Sequence, residues 1–415
     1  MGISRILYNI GLGAYHMGIK LSSPFNDKAR KWMEGRYDWQ TIVKVFLNDK
    51  PAIWVHCASL GEYEQGKPVI DAIEAQYPAA QVIVSFYSPS GYEVVKRREP
   101  QRAIVYLPPD SDANARAFLG LLKPRLAIFI KYEFWYHYLR QLRLHKVPTL
   151  LVSGIFRESQ PFFRFYGGLH REMLQTFEHL FVQDNDSQKL LADIGFKNVT
   201  VGGDTRFDRV GAILAHPHEL PPIASFKGDF PIFIAGSTWP VDEDLLLPLL
   251  PSMIKRGWKI IIAPHDIHTQ HIQKLLQSLG RDAVLYSALA NTGDENHNVL
   301  IIDSVGLLAH IYKYAEIAYV GGGFGKGIHN VLEPAASGLP VVFGPNYDKF
   351  KEATDLVYMG GALSVKSSTM LQEALRKLFV EEHWIKASSG ALEYVRTNKG
   401  ATAKIMSYIS AQKLL

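Results

Sequence analysis

The sequence predicts an α/β protein built from two successive parallel sheets, each wound with helices. Three observations carry this. Short apolar runs alternate with helical stretches along most of the chain, the pattern of βαβ units. The alternation breaks between residues 214 and 231, where LAHPHELPPIASFKGDFP holds four of the 22 prolines and reads as a linker. At 415 residues the chain exceeds one ordinary core, so two domains of about 200 residues are expected. The expected division is an N-terminal helical region at 1–36, a Rossmann-like domain at 37–213, a linker at 214–231 and a second Rossmann-like domain at 232–415. The last helix is expected to return to the first domain.

In the first half the strand candidates are IWVHCAS (53–59), QVIVSFYS (81–88), RAIVYLP (102–108), RLAIFIKY (125–132), TLLVSG (149–154) and HLFVQD (179–184). In the second they are PIFIAGST (231–238), KIIIAP (259–264), AVLYS (283–287), NVLIID (298–303), EIAYVGG (316–322) and LPVVFGP (339–345). Such runs suit strands buried on both faces. Ligands of open parallel sheets bind beyond the carboxyl ends of the strands, so the two domains are expected to face each other across a central cleft lined by the loops that follow these runs.

Composition narrows the function. With 47% hydrophobic and 20% charged residues the chain reads as globular throughout. A net charge of +5 is too mild for nucleic acid but suits an anionic membrane surface or substrate. The single cysteine, Cys57, excludes a disulfide framework and a cysteine metal cluster and agrees with a reducing cytoplasm.

Residues 1–36 carry Arg5, Lys20, Lys28, Arg30, Lys31 and Arg36 against Asp27 and Glu34. Asn9 and His16 interrupt the apolar stretch, which leaves no span of the ~18 residues needed to cross a membrane, and no small-residue cleavage site marks a signal peptide. Ile3, Ile6, Leu7, Ile10, Ala14 and Met17 recur at helical spacing. This fits an interfacial helix meeting lipid, or equally a helix packed on the body of the protein. Four glycines between Gly2 and Gly18 weaken the helix in either case.

The segment VGGGFGKGIHNVLEPAASGLPVVFGP (320–345) reads as strand, glycine loop, helix start and strand, which is the grammar of a nucleotide site. Pro334 suits the first helical turn and Gly338 the helix end. Glu333, a carboxylate in a glycine-lined crevice, can accept two hydrogen bonds from a vicinal diol such as a ribose. No window gives GxGxxG, and Gly325-Lys326 is followed by Gly327 where a P-loop needs Ser or Thr, which weighs against hydride chemistry and a Walker-type NTPase.

Other loops add polar groups. After 53–59 come Ser59, Gly61 and Glu62, and Glu62 fits either a general base or a first-turn partner of the helix dipole. Glu133 follows the strand at 125–132, with aromatic neighbours that suit an acceptor pocket or plain packing. Ser237 and Thr238 precede Asp242, Glu243 and Asp244, a helix start able to hold phosphate or simply to be capped. His265 and His268 match no metal spacing, and no catalytic metal or cofactor is expected.

Together, HCASLGEYEQGKPVI, KYEFWYH, GGDTRFD, AGSTW and GIHNVLEPAASGLPVVFGP resemble, in order and across most of the chain, the motif series of 3-deoxy-D-manno-octulosonic acid (Kdo) transferases. The SxGE element at Ser59–Glu62 and the HNxLEP element at His329–Pro334 are the specific ones. The resemblance implies a GT-B glycosyltransferase fold, CMP-Kdo as donor substrate, and a lipid A precursor of the lipid IVA type as acceptor. It further implies lipopolysaccharide core biosynthesis at the cytoplasmic face of a Gram-negative inner membrane, with peripheral or monotopic attachment.

Residue by residue, it makes Glu62 the general base and Glu133 a second acid, with Ser59 and Gly61 on the acceptor side. Asn330 and Glu333 would hold the nucleotide, with Gly325 in the donor loop and Ser237 and Thr238 beside the phosphate. Three positions depart from the family pattern. Arg206 stands for a lysine, which keeps charge and changes reach. Pro264, His265, Asp266 and Ile267 replace a Pro-Arg-His-Pro element, so the arginine's role passes to His265 or elsewhere. Lys131 stands where the first acid of an ETE element is usual. Direct displacement with inversion is implied. Rival readings are a UDP-sugar transferase or epimerase of the same fold, since Glu333 would serve UDP as well as CMP, and a non-catalytic lipid-binding protein.

Overall fold

The structure is a computed structural model that describes residues 3–215, 218–292 and 297–415. Met1 and Gly2 of the N-terminal region and residues 216–217 of the expected linker lie outside the described residues. The chain forms two compact units, residues 1–209 with 399–415, and residues 210–398.

The first unit holds strands β1 (Ala52–Cys57), β2 (Gln81–Phe86), β3 (Ala103–Tyr106), β4 (Leu126–Ile130), β5 (Thr149–Gly154), β6 (His179–Val182) and β7 (Val199–Val201). Among the described residues they make one sheet, ordered β3-β2-β1-β4-β5-β6-β7, with every pair parallel. Alternate side chains serve opposite faces. Trp54, Ile83, Phe129 and Leu151 enter one core, while Ile53, Val55, Val84 and Ile128 enter the other. The helix Ala401–Ala411 supplies Ile405, Met406 and Ile409 to that second core. The Asp208 carboxylate fixes its start, accepting the N–H groups of Gly400 and Thr402 at 2.6 Å each.

The second unit repeats the plan with β8 (Ile232–Thr238), β9 (Lys259–Pro264), β10 (Ala283–Leu285), β11 (Val299–Ile301), β12 (Ile317–Val320), β13 (Val341–Phe343) and β14 (Ala362–Ser364). Their order is β10-β11-β9-β8-β12-β13-β14, again all parallel. In the first sheet the order reverses between β1 and β4, and in the second the matching reversal lies between β8 and β12. Neighbouring crossovers there leave in opposite directions and open a crevice at the strand ends.

The expected linker at 214–231 differs. Its described residues belong to the second unit, and Pro221–Lys227 is a helix whose Ile223 and Phe226 are buried in a core of that unit. Two prolines at the start of this helix read as breakers in the sequence, yet proline is tolerated in a first turn.

The N-terminal segment forms a helix, Ile3–Ser22, with no fully buried residue. Its polar side faces the protein. Tyr8 donates to Asp110 at 2.7 Å, Asn9 Oδ1 lies 2.7 Å from His137 Nε2, and Arg5 pairs with Glu172 at 2.9 Å. The apolar stripe points outward, with Ile3 78%, Leu7 62% and Ile10 62% exposed. The expectation of a helix packed on the body of the protein therefore holds for its polar face, while the apolar stripe stays exposed. No described helix is long and apolar enough to cross a membrane.

Candidate active site

In the first unit two carboxylates stand at the ends of the strands where the order reverses. Beyond β1, Ser59 caps the helix Leu60–Gln76 in a reciprocal box: Ser59 Oγ accepts the Glu62 N–H at 3.4 Å, and Glu62 Oε2 accepts the Ser59 N–H at 3.0 Å. The box holds Glu62 at 8% exposure. Burial, then the charge of Glu133, pushes the Glu62 carboxyl up to about 7, against the opposing pull of the Ala58 and Ser59 N–H groups and of Lys131. A carboxylate poised there titrates at neutral pH. Burial, with both carboxylates nearby, pushes the Cys57 thiol up, so it stays neutral. A side chain at Gly61 would meet no protein atom within 4 Å, which leaves room for a ligand beside Glu62.

Beyond β4, Lys131 takes a left-handed conformation, φ +67°, costly for a non-glycine residue and recurrent at functional sites. Glu133 follows, buried, with Oε2 accepting the Trp135 indole N–H at 2.6 Å and lying 3.1 Å from His56 Nε2. A cavity of about 650 Å3 opens beside it, lined by Tyr8 and Leu12 of the N-terminal helix and by Glu133, Trp135, Arg157 and Phe162.

Arg206 lies in this unit as well. Asp204 grips it through Nε at 2.8 Å and Nη2 at 2.7 Å, and Asp204 also accepts from Gln65, one turn along the Glu62 helix, at 2.8 Å. The Arg206 charge reaches Tyr132, between Lys131 and Glu133.

In the second unit the remaining predicted donor residues gather at the ends of β8, β9 and β12. Ser237 also has positive φ, +54°. Thr238 is buried and its hydroxyl donates to Glu243 at 2.9 Å, so that hydroxyl serves the helix start. Asp242, also buried, accepts the N–H groups of Trp239 and Gly322 at 2.9 Å each and the Tyr319 hydroxyl at 2.7 Å. One carboxylate thereby ties the glycine loop to the helix Pro240–Leu246. Gly321 is required by close approach, since a Cβ there would stand 2.3 Å from the Ser237 carbonyl oxygen.

His265 stacks between Trp239 (4.6 Å) and His329 (4.3 Å), and the Trp239 N–H donates to His329 Nε2 at 2.9 Å. Burial and His265 lower the His329 pKa. Asn330 Oδ1 accepts the Leu332 N–H at 3.0 Å, opening the helix Leu332–Ala336 in which Glu333 is second and half-buried. Gly338, φ +75°, ends that helix: its N–H goes to Ala335 and that of Leu339 to Pro334, the paired bonds of a Schellman stop. Gly325 is exposed, and its carbonyl accepts from Asn346 at 2.8 Å. Among the described residues no three His, Cys, Asp or Glu side chains converge as a metal-binding group.

Residues 33–209 match the family model described as 3-deoxy-D-manno-octulosonic-acid transferase (kdotransferase). The chain is 26% identical to the 3-deoxy-D-manno-octulosonic acid transferase of Haemophilus influenzae over 85% of each protein. It is also 26% identical to that of Aquifex aeolicus, over 83% of this chain and 91% of the other. Residues 33–209 thus carry a Kdo transferase domain. The chain is a glycosyltransferase of GT-B fold. The UDP-GlcNAc 2-epimerase of Neisseria meningitidis, solved with UDP-GlcNAc, superposes with a TM-score of 0.63 over 87% of this chain and all of that one, at 15% identity. That likeness concerns the fold alone.

Against this family background, several residues that shape the site were missed in the sequence. His56 and Trp135 meet Glu133, with Ser85 behind His56, and Asp204 holds Arg206 while accepting from Gln65. A signal for His56 existed, since a histidine inside the apolar run IWVHC is a buried polar group that needs partners.

Proposed function

We propose that this Kdo transferase moves Kdo from CMP-Kdo to a lipid A precursor of the lipid IVA type in lipopolysaccharide core biosynthesis, with inversion at the anomeric carbon. The observation that carries the reading is Glu62, a buried carboxylate beside a second carboxylate, with its pKa pushed up to about 7. In this mechanism the acceptor hydroxyl gives its proton to Glu62 while its oxygen bonds to the anomeric carbon. The bond from that carbon to the CMP phosphate oxygen breaks, and the electron pair leaves with CMP. Burial makes Glu62 a stronger base than an exposed carboxylate, and the proton it takes relieves repulsion with Glu133.

The donor is assigned to residues at the β8 and β12 ends of the second sheet. Glu333 and Asn330 take the ribose side of the nucleotide and Ser237 the phosphate side, with Gly325 in the adjoining loop. Thr238 contributes through its backbone, because its hydroxyl is committed to Glu243. Arg206, held by Asp204 in the first unit, offers its charge to the anionic substrates.

The acceptor is assigned to the cavity beside Glu133, whose walls combine aromatic rings with Arg157, a pairing suited to an acylated, phosphorylated sugar. Tyr8 and Leu12 join that cavity to a helix whose other face is apolar and exposed. This supports peripheral or monotopic attachment at the cytoplasmic face of the inner membrane, where the acceptor would be drawn from lipid. Incubation with CMP-Kdo and a tetraacylated lipid A precursor tests the whole reading: the product should gain mass in whole Kdo units, and an unchanged acceptor would overturn it.

A further inference from the structure

Behind the two carboxylates runs a buried chain of polar groups that the transfer step itself does not use. Trp54 donates its indole N–H to Ser85 Oγ at 2.7 Å. Ser85 Oγ lies 2.8 Å from His56 Nδ1, and His56 Nε2 lies 3.1 Å from Glu133 Oε2. His56 and Ser85 have no solvent exposure. An indole N–H only donates, so Trp54 fills an acceptor position of Ser85 and turns the Ser85 O–H toward Nδ1. An imidazole that accepts at Nδ1 carries its proton at Nε2, which then donates to the Glu133 carboxylate. The opposite tautomer would set the Nε2 lone pair against that carboxylate. The Trp135 indole nitrogen lies 3.1 Å from His56 Nε2 and 2.6 Å from Glu133 Oε2, and the nearer, charged oxygen takes its N–H, which leaves Nε2 to carry the imidazole proton.

We propose that His56 is a positioning residue: locked by Ser85 as the Nε2–H tautomer, it holds the Glu133 carboxylate in place near Glu62, and so keeps Glu62 a receptive base. The proposal rests on the reading of Glu62 as the base. Glu62 is faced by Glu133, Lys131, Tyr132 and Cys57 and by the N–H groups of Ala58 and Ser59. Glu133 is faced by His56, Cys57, Tyr87 and Trp135. Lys131 works against the effect, and the charge of Glu133 is the contribution the relay protects.

The test is the pH dependence of kcat/KM across the neutral range, with CMP-Kdo and a tetraacylated lipid A precursor, for the intact protein and for Ser85→Ala, His56→Leu, His56→Gln and Glu62→Gln. Ser85→Ala and His56→Leu should move the acidic limb down by about half a pH unit or more, lower kcat several-fold and leave the CMP-Kdo KM unchanged. His56→Gln keeps an amide N–H for Glu133 and should stay close to the parent limb. An unmoved limb in Ser85→Ala overturns the proposal even if turnover falls, since a merely structural loss would not spare the titration. Ser85→Ala removes a single buried oxygen and carries the test if His56→Leu does not fold. Near-normal turnover in Glu62→Gln would instead overturn the base assignment, and the positioning role with it.

Discussion

Glu62 and Glu133 stand beyond β1 and β4, the adjacent strands at which the order of the first sheet reverses, and the charge of Glu133 raises the Glu62 pKa. Glu62 closes the capping box at its helix start, and the sequence offered a first-turn dipole partner and a general base as alternatives. The geometry makes them compatible. The Ser59 N–H holds one carboxylate oxygen, while burial and the like charge raise the proton affinity that capping alone would lower. The cap fixes where the carboxylate points, and its surroundings fix how basic it is.

Glu62→Gln keeps size and a capping oxygen but cannot accept a proton at neutral pH. Turnover should fall by roughly 10²–10⁴ while CMP binding persists. Folded Glu62 keeps its proton up to about pH 7, whereas the unfolded chain releases it near the ordinary carboxylate value. Between these values the folded state binds more protons, so stability is lost as pH rises through the window. Above pH 7 the Gln variant should therefore be more stable than the parent, by about 3 kcal/mol, and the gain should vanish below the ordinary carboxylate value. Urea unfolding at the two extremes checks this. A pH-independent difference would contradict the raised pKa.

Glu133→Gln removes the like charge and leaves a neutral group of the same shape for Trp135 and His56. The Glu62 pKa should move down toward the ordinary carboxylate range, carrying the acidic limb of kcat/KM with it. Turnover at the plateau should fall as well, because the base is weaker. A limb that stays near 7 would mean that burial alone sets the Glu62 pKa.

The sheets were legible in the sequence because their strands are buried on both faces, and each apolar run from 53–59 to 339–345 contains one. The two strands that escaped, Val199–Val201 and Ala362–Ser364, are three-residue edge strands. With one neighbour and partial exposure, such a strand needs no apolar run. Glu62, Glu133 and the glycine loop were legible because strand ends and glycines have local signatures. The relay through Ser85 and His56 was not, since its members come from different strands and meet only through the register that pairs His56 with Ser85. Thr238 stayed open in the sequence for a related reason: a hydroxyl at a helix start can face a ligand or its own helix, and Glu243 takes it here.

The exposed stripe on the helix Ile3–Ser22 gives a membrane prediction that spares the fold. Leu7→Glu with Ile10→Glu changes two outward side chains, while Tyr8, Asn9 and Arg5 keep their contacts. Partition onto anionic liposomes should weaken at least about tenfold, from lost apolar burial and added negative charge, with thermal stability unchanged. Equal pelleting of parent and variant would detach this helix from membrane binding.

Two acids of the second unit separate nucleotide contact from scaffolding. Asp242 is buried and accepts three hydrogen bonds that join the glycine loop to the neighbouring helix start. Asp242→Ala leaves those donors without a partner, so it should cost about 3 kcal/mol or more of stability and weaken CMP binding only through the loop it loosens. Glu333 is half-buried in a first turn, so Glu333→Ala should change stability by under about 1 kcal/mol. If its carboxylate accepts the ribose hydroxyls, the same change should weaken CMP binding by about 1.5–3 kcal/mol, the range for hydrogen bonds to a charged partner. Calorimetric titration with CMP, alongside thermal melts of both variants, distinguishes the roles. A folded Glu333→Ala protein that binds CMP as tightly as the parent would leave Glu333 as a helix-start residue and move the ribose contact elsewhere in the loop.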